Sequence, residues 1–447
     1  MKQFILFRYL PFVALLFTLE TQTAHAQQKR LSMQEAVALA TESNPELRAS
    51  QLEIEKSRQQ KVISRSLFLP TINATAAANH YFQLPPFFGF GGVTPDGKIS
   101  YGRFGGNDQL AAGVSAVQPL YNPVAFPSLQ RARLLEQESR VALSGKQVSI
   151  LSLVKQTYIQ LLVLNERIKL QQESISRNQR VLKDARSLLV QGKGLRVDTL
   201  RAYTSVKNLE PELLKLTYAV ETGKLQLKAL IGIDSLREIV LIDSLTVPDP
   251  ETIPQEEAVY HVANQNNADL QLLVLQQQIS EQQIRQANAG RLPVVSAVGL
   301  YQVQSQTTKF DYGSAYYPSS SFAGLQVAVP LFTGLSNHAK VKQAGIAQEQ
   351  SSFRLKNAHE QLRVVVHQAV ANSHESLVRI QTTASVQETA KLSYAIIQYR
   401  YAKGVASRLD LTDAELALTT SQSNYLEAVY DYLSAQIALL QIMGKVE

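Results

Sequence analysis

The chain of 447 residues carries 44 Lys and Arg against 37 Asp and Glu, a formal charge of +7, with 45% apolar residues, no tryptophan and no cysteine. The lack of cysteine excludes disulfides, thiolate metal sites, cysteine nucleophiles and an N-terminal lipid on cysteine. The basic excess is scattered, with no Lys/Arg block of the kind that binds nucleic acid.

Residues 1–26 read as a secretory signal peptide. Lys2 and Arg8 precede an apolar run over 9–19, broken only by Pro11 and Thr18, and Ala24-His25-Ala26 forms a small-x-small cleavage site. The run is too short to span a membrane as a helix. No later segment offers about 18 consecutive apolar residues, so a helical span is not expected.

The mature chain reads as two halves of one design. Asn44-Pro45-Glu46-Leu47 recurs as Asn267-Ala268-Asp269-Leu270 and Leu69-Pro70 as Leu292-Pro293, both offset by 223. Gln118-Pro119-Leu120-Tyr121 recurs as Val329-Pro330-Leu331-Phe332, offset by 211, and Leu230-Ile231-Gly232 as Ile442-Met443-Gly444, offset by 212. The fall in offset places an insertion at 83–110. The first repeat covers 27–232, an inter-repeat linker with Pro248, Pro250 and Pro254 covers 233–254, and the second repeat covers 255–447.

In the first repeat, 32–41 is a short helix and Asn44 caps a second, with Pro45 at its first position. At Pro70 the period becomes alternating: Ile72, Ala74, Ala76 and Ala78 on one side, Thr71, Asn73, Thr75 and Asn79 on the other. This predicts a strand over 70–82 with one wet face, long enough to cross a membrane. A Gly/Pro/Phe-rich loop follows over 83–109, then a second strand over 110–118 that Pro119 ends. The long helix to Val190 carries Val154, Leu161, Ile168, Ile175, Leu182 and Leu189 at strict sevens, a coiled-coil signature over a length of ~100 Å. Gly192 and Gly194 end it, and a return helix runs to Leu230.

The second repeat replays this, with strands over 293–303 and 322–329. Its long helix from Asn337 to Tyr401 has a poorer heptad, with His367, Ser373 and Lys391 at seam positions. The return helix has Leu411, Leu418, Tyr425, Tyr432 and Leu439 at sevens. Four strands cannot close a membrane barrel, which needs at least about eight, and open strand edges are not tolerated in lipid. The chain therefore demands an oligomer; three copies giving twelve strands is the smallest comfortable closure.

The duplicated strand-to-helix prolines Pro119 and Pro330, the Tyr401-Ala402-Lys403-Gly404 turn, the run from Arg408 through Asp410 and Asp413 to Ala414, and Ile442-Met443-Gly444 together resemble the TolC family of outer-membrane efflux proteins. The resemblance implies a homotrimer in the outer membrane, with a twelve-stranded β-barrel in lipid and a long α-helical barrel in the periplasm. It also implies a periplasmic adaptor and an inner-membrane pump as partners. Carried over by position, the acidic ring of the periplasmic entrance falls on Asp410 and Asp413 and the gate lock on Tyr401 and Asp198. The tip turns where an adaptor docks fall on Gly192, Gly194, Gly404 and Arg408. A second lock arginine of the family falls on Ala406, so that element is missing or moved to Arg408.

Each of these residues also has a plain structural reading. Asp410 and Asp198 sit in first helical turns, where a carboxylate satisfies free N–H groups and the helix dipole. Asp413 differs, because its counterpart 212 positions earlier is Arg201; a dipole role would want an acid in both copies. Tyr394, Tyr399 and Tyr401 could be helix-packing aromatics, and Gly192 and Gly404 simple helix ends. His359, His367 and His374 lack metal-site spacing and read as solvated or lumen-facing. Tyr81, Phe82, Tyr301, Tyr317 and Phe322 flank the strands as an interfacial girdle would. The glycines between Gly89 and Gly106 do not lead from a strand into a helix, so no phosphate loop is implied. No enzyme motif or cofactor site emerges. The competing class is a trimeric coiled-coil adhesin, which also uses heptads and a shared barrel but has no need of two duplicated halves.

Overall fold

A computed structural model describes residues 29–93, 95–246, 253–309, 313 and 315–445. The expected signal peptide lies outside them, as do Pro248 and Pro250 of the linker.

Short strand β1 (Lys29–Leu31) leads into α1 (Met33–Ser43) and α2 (Pro45–Ser66), then strand β2 (Thr71–His80). A hairpin of β3 (Phe87–Val93) and β4 (Ile99–Gly102) precedes β5 (Asp108–Tyr121). The long helix α3 (Ala125–Val190) and return helix α4 (Arg196–Ile231) follow, then β6 (Ile239–Leu241). After it come α5 (Glu256–Asn266), α6 (Ala268–Ala289), β7 (Val294–Thr307), β8 (Ser319–Ala328), α7 (Ser336–Ala402) and α8 (Arg408–Ile442).

Four features correct the sequence reading, the first being that β7 runs on to Thr307 and β8 begins at Ser319, where strands over 293–303 and 322–329 were expected. The stretch 83–109, expected as a loop, contains the β3–β4 hairpin, irregular between Phe88 and Val93. The linker after α4 is partly structured, since β6 pairs in parallel with β1, Arg30 opposite Val240. The strand expected to stop before Pro119 runs on to Tyr121, with a register shift between the two. Proline is tolerated there because a shifted ladder does not require its missing N–H.

Strands β2, β5, β7 and β8 form one antiparallel sheet in the order β2-β5-β7-β8. Its two hairpins are in the same register: Thr71 pairs with Val117 and His80 with Asp108, as Val294 pairs with Ala328 and Val303 with Ser319. Shifting the first pair of strands by 223 and 211 reproduces the second at every position. Both edge strands, β2 and β8, are exposed along their whole length.

The helix starts follow from local chemistry. Ser32 and Glu35 make a reciprocal capping box at α1. The Asn44 carboxamide oxygen accepts from Glu46 and Leu47 N–H at 2.9 and 3.1 Å, while its amide donates to Leu230 O at 2.7 Å. Asn267 does the same at α6, accepting from Leu270 N–H at 3.1 Å and donating to Ile442 O at 3.3 Å. Each asparagine thus caps one helix and holds the end of a return helix. Gly232 and Gly444 close those ends in the left-handed region, at φ 68° and 71°.

The core sits at mid-height. Leu31, Ala36 and Ala40 pack with Val154, Tyr158 and Leu161 of α3 and Leu227 and Ile231 of α4. The Tyr158 hydroxyl donates to Leu31 O at 2.8 Å, which fastens the β1 strand to the long helix. On the other hairpin Val259 and Ala263 of α5 cover Leu362, Val366 and Leu439. Helix α3 contains an 18-residue window with a mean hydropathy of 1.3, enough to cross a membrane by length and composition, where no span was expected. Over half of that window, 56%, is buried inside the chain, which is the behaviour of a core helix.

The heptad stripe of α3 changes along its length. Val154 and Leu161 are fully buried, Leu182 is nearly so, and Leu189 at the far end is 36% exposed. Packing thins toward the tip formed by the α3–α4 and α7–α8 turns.

Candidate functional site

The two turns are built alike. Gly192 and Gly404 have φ of 70° and 73°, reachable without strain only by glycine. Lys193 N–H returns to Leu188 O at 2.9 Å, and Val405 N–H to Arg400 O at the same distance. At the next position the copies diverge. A Cβ on Gly194 would lie 3.0 Å from Leu188 Cβ, whereas the second turn carries Ala406 there. The bond from Gly194 N–H to Leu188 O is 3.0 Å, that from Ala406 N–H to Arg400 O 3.4 Å. The extra methyl accompanies a looser closing bond.

The helix starts after the turns differ in chemistry. Ser407 caps α8: Asp410 N–H donates to Ser407 Oγ at 3.1 Å, and Ser407 N–H to Asp410 Oδ2 at 2.8 Å. The Ser407 backbone N–H, then its hydroxyl, then the Arg400 charge hold the Asp410 carboxyl below the usual carboxylate range. It therefore stays ionised near neutrality. At α4 the capping position is Leu195, which offers no side-chain bond, and Asp198 stands in the first turn without a capping box. Asp413 is exposed, one turn along from Asp410 on the same face. It has no hydrogen bond or ion pair among the described residues, so its charge projects freely.

Tyr401 is half-buried and Asp198 half-exposed, and they do not hydrogen-bond within one chain. Each belongs to a different hairpin: α4 packs on α3, α7 on α8, and the hairpins meet through α3 and α8. Arg408 is turned back among the helices instead of standing at the tip. Its Nη1 is buried without a partner, and it lines a small pocket with Arg177, Val181, Tyr394, Leu411 and Glu415.

That pocket holds an ion pair that sequence patterning did not single out. Arg177 Nε donates to both carboxylate oxygens of Glu415, at 2.8 and 2.9 Å, and Ser174 Oγ donates to Oε1 at 3.1 Å. The Arg177 guanidinium lies 5.9 Å from the Tyr394 ring centre. Burial first, then the Glu415 charge, pushes the Tyr394 phenol up, so it remains a neutral donor. The available signal was Glu415 itself, lying between Leu411 and Leu418 on the buried stripe of α8.

Elsewhere, the groove where strand gives way to helix has a volume of about 670 Å³, lined by Phe68, Leu120, Tyr121, Phe126 and Leu292 with Arg285 at hand. Among the described residues no group of three or more His, Cys, Asp or Glu converges as a metal site. His367 instead bonds Glu256 at 3.0 Å.

Comparison with known proteins bears directly on this architecture. A family model described as outer membrane efflux protein matches residues 36–233 and 259–445. The outer membrane protein TolC of Vibrio cholerae is 21% identical over 408 residues, 91% of this chain and 89% of that protein. The alkaline protease secretion protein AprF of Pseudomonas aeruginosa is 23% identical over 91% of this chain and 82% of its own length. The fold is similar to that of the outer membrane protein VceC of Vibrio cholerae, with a TM-score of 0.73 at 16% identity, covering 93% of this chain and 97% of that one. It is also similar to that of the outer-membrane channel OprN, with a TM-score of 0.75 at 16% identity, covering 92% and 89%. The adhesin reading finds no support in these relatives. With both hairpins inside the matched segments, the chain belongs to the outer membrane efflux protein family and is an outer-membrane channel protein with a periplasmic helical extension.

Proposed function

We propose that three copies close into a passive exit duct, with twelve strands in the outer-membrane lipid and a helical barrel below, gated at the α3–α4 and α7–α8 tips. The observation that carries this is the pair of open edges on β2 and β8 in a sheet whose two hairpins share one register. Open edges are excluded from lipid, and four strands cannot close on themselves. Exposed apolar side chains on the edge strands, Ile72 at 68% and Leu325 at 73%, favour burial of that face in lipid. The two repeats, 27–232 and 255–447, then act as alternating staves.

At the tip, Asp410 and Asp413 from three copies form the acidic ring. Facing carboxylates repel at close range and attract cations, so the closed mouth favours cations and resists anions. Tyr401 and Asp198 form the lock when assembly and closure bring α7 of one hairpin to α4 of another. Gly192, Gly194 and Gly404 present the turns to a periplasmic adaptor, with Arg408 supporting them from inside the helix wedge. The duct binds no cofactor and performs no catalysis; an inner-membrane pump supplies the energy. TolC and the protease secretion proteins AprF and PrtF among its relatives make efflux or secretion the process served.

The purified protein in a planar lipid bilayer tests this. Discrete cation-selective steps of low conductance are expected, with the selectivity reduced in Asp413→Asn. Absence of any conductance from a folded trimer would overturn the channel reading.

A further inference from the structure

Above the tip turns, a buried charge pair between the two hairpins is used by neither the ring nor the lock. We infer that Arg177 and Glu415 form a pin that fixes α8 on α3 and thereby sets where Asp410 and Asp413 stand in the closed channel. This rests on the gate proposed above.

The pair joins the two hairpins of a chain, and its side chains are only 13% and 12% exposed. Glu415 lies five residues after Asp410 and two after Asp413 on α8. Removing two charges from water is costly, and apolar residues of the same size would bind α3 to α8 as well or better. What an ion pair adds is position. Apolar ridges can slide a turn and still pack, whereas Glu415, held by Arg177 Nε and Ser174 Oγ, has one axial setting. Tyr394 brings α7 to the same point.

The counterparts 212 positions away show that this device belongs to one junction. They are Thr389 for Arg177 and Tyr203 for Glu415, which cannot form an ion pair. A second link between the hairpins, Arg167 to Glu427 at 3.4 Å, lies on the same α3–α8 junction. Its counterparts, Arg379 and Lys215, are alike in charge. Both ionic links thus act on α8, the helix that carries Asp413. The return helix of the other hairpin has Arg201 in the matching place, and the positions matching these two links do not pair opposite charges. Arg177 and Glu415 are therefore positioning residues for the gate.

Glu415→Gln and the swap Arg177→Glu with Glu415→Arg, in the full-length trimer, test the inference by single-channel conductance. Loss of the pair should shift the closed–open balance by about tenfold, seen as raised conductance in Glu415→Gln and recovered closure in the swap. Heat resistance of the trimer on gels reports folding independently. Wild-type conductance in a folded Glu415→Gln trimer would overturn the pin. If that variant does not fold, the swap decides: a folded, closed swap supports the pin, and a folded, leaky swap overturns it. Asp413→Asn measured alongside separates the two readings, since unchanged cation selectivity there would sink the ring while leaving the swap to judge the pin.

Discussion

Replacing Glu136 by Gln should lower stability by about 1–2 kcal/mol at neutral pH. Glu136 lies in α3 below the strand junction and is buried. It accepts from Lys61 of α2 and from Arg140 Nη2 at 2.8 Å, with Arg58 Nε at 3.6 Å. The Lys61 bond first and the Arg140 bond second hold its carboxyl at about 2, down from 4.5, against the opposing effect of burial. At about 1.36 kcal/mol per unit that difference is worth ~3 kcal/mol, and water reaching the exposed Arg140 side screens it to about half. A carboxylate whose folded value is depressed stabilises the fold above its unfolded value and loses that contribution as pH falls through the folded one. Helical circular dichroism of the detergent-solubilised trimer, melted at several pH values, is the assay. Wild type should lose this contribution between pH 4.5 and about 2, while Glu136→Gln should start lower at pH 7 and change less over that interval. An unaltered melting temperature at pH 7 with an unaltered acid limb would refute the assignment.

Two further outcomes are expected. Tyr401→Phe combined with Asp198→Ala should raise single-channel conductance, and unchanged closed conductance in planar bilayers would remove the lock assignment. Tyr158→Phe should cost about 1 kcal/mol by leaving Leu31 O with the Ile242 N–H alone, at 3.2 Å, detected as faster amide exchange in the paired residues Lys29–Leu31 and Ile239–Leu241. Equal exchange would show that β1 is held without that bond.

Much of the fold could be read from residue order. The change of period at Pro70 and Pro293 announced strands that begin at Thr71 and Val294, because a proline cannot continue the preceding helix and alternation starts directly after it. The β3–β4 hairpin was illegible: its Phe/Gly-rich sequence lacks alternation and its pairing is irregular. Strands β1 and β6, three residues each, are too short for any period and exist through pairing with each other. At the tip, Asp410 could be read as a first-turn carboxylate, but its capping-box partner Ser407, three residues earlier, was not singled out although the signal is local. Arg177 and Glu415 gave no such local signal. Their partnership spans 238 positions, and a glutamate on an apolar stripe looks like a flaw until α3 supplies its counter-charge.

The central claim, closure between copies, predicts a specific register. Within the chain Val117 of β5 lies opposite Val298 of β7. Continuing the same step, with offsets of 211 and 223, sets Ala328 of β8 opposite Thr75 of β2 in the next copy, both on the polar face. The chain has no cysteine, so Thr75→Cys with Ala328→Cys gives a clean background for disulfide formation between opposed strand positions. Oxidation in outer membranes should yield covalent dimers and trimers on non-reducing gels, while Ala76→Cys with Ala328→Cys, one residue out of register and on the opposite face, should not. No cross-link in the first pair, or equal cross-linking in both, would contradict the shared barrel.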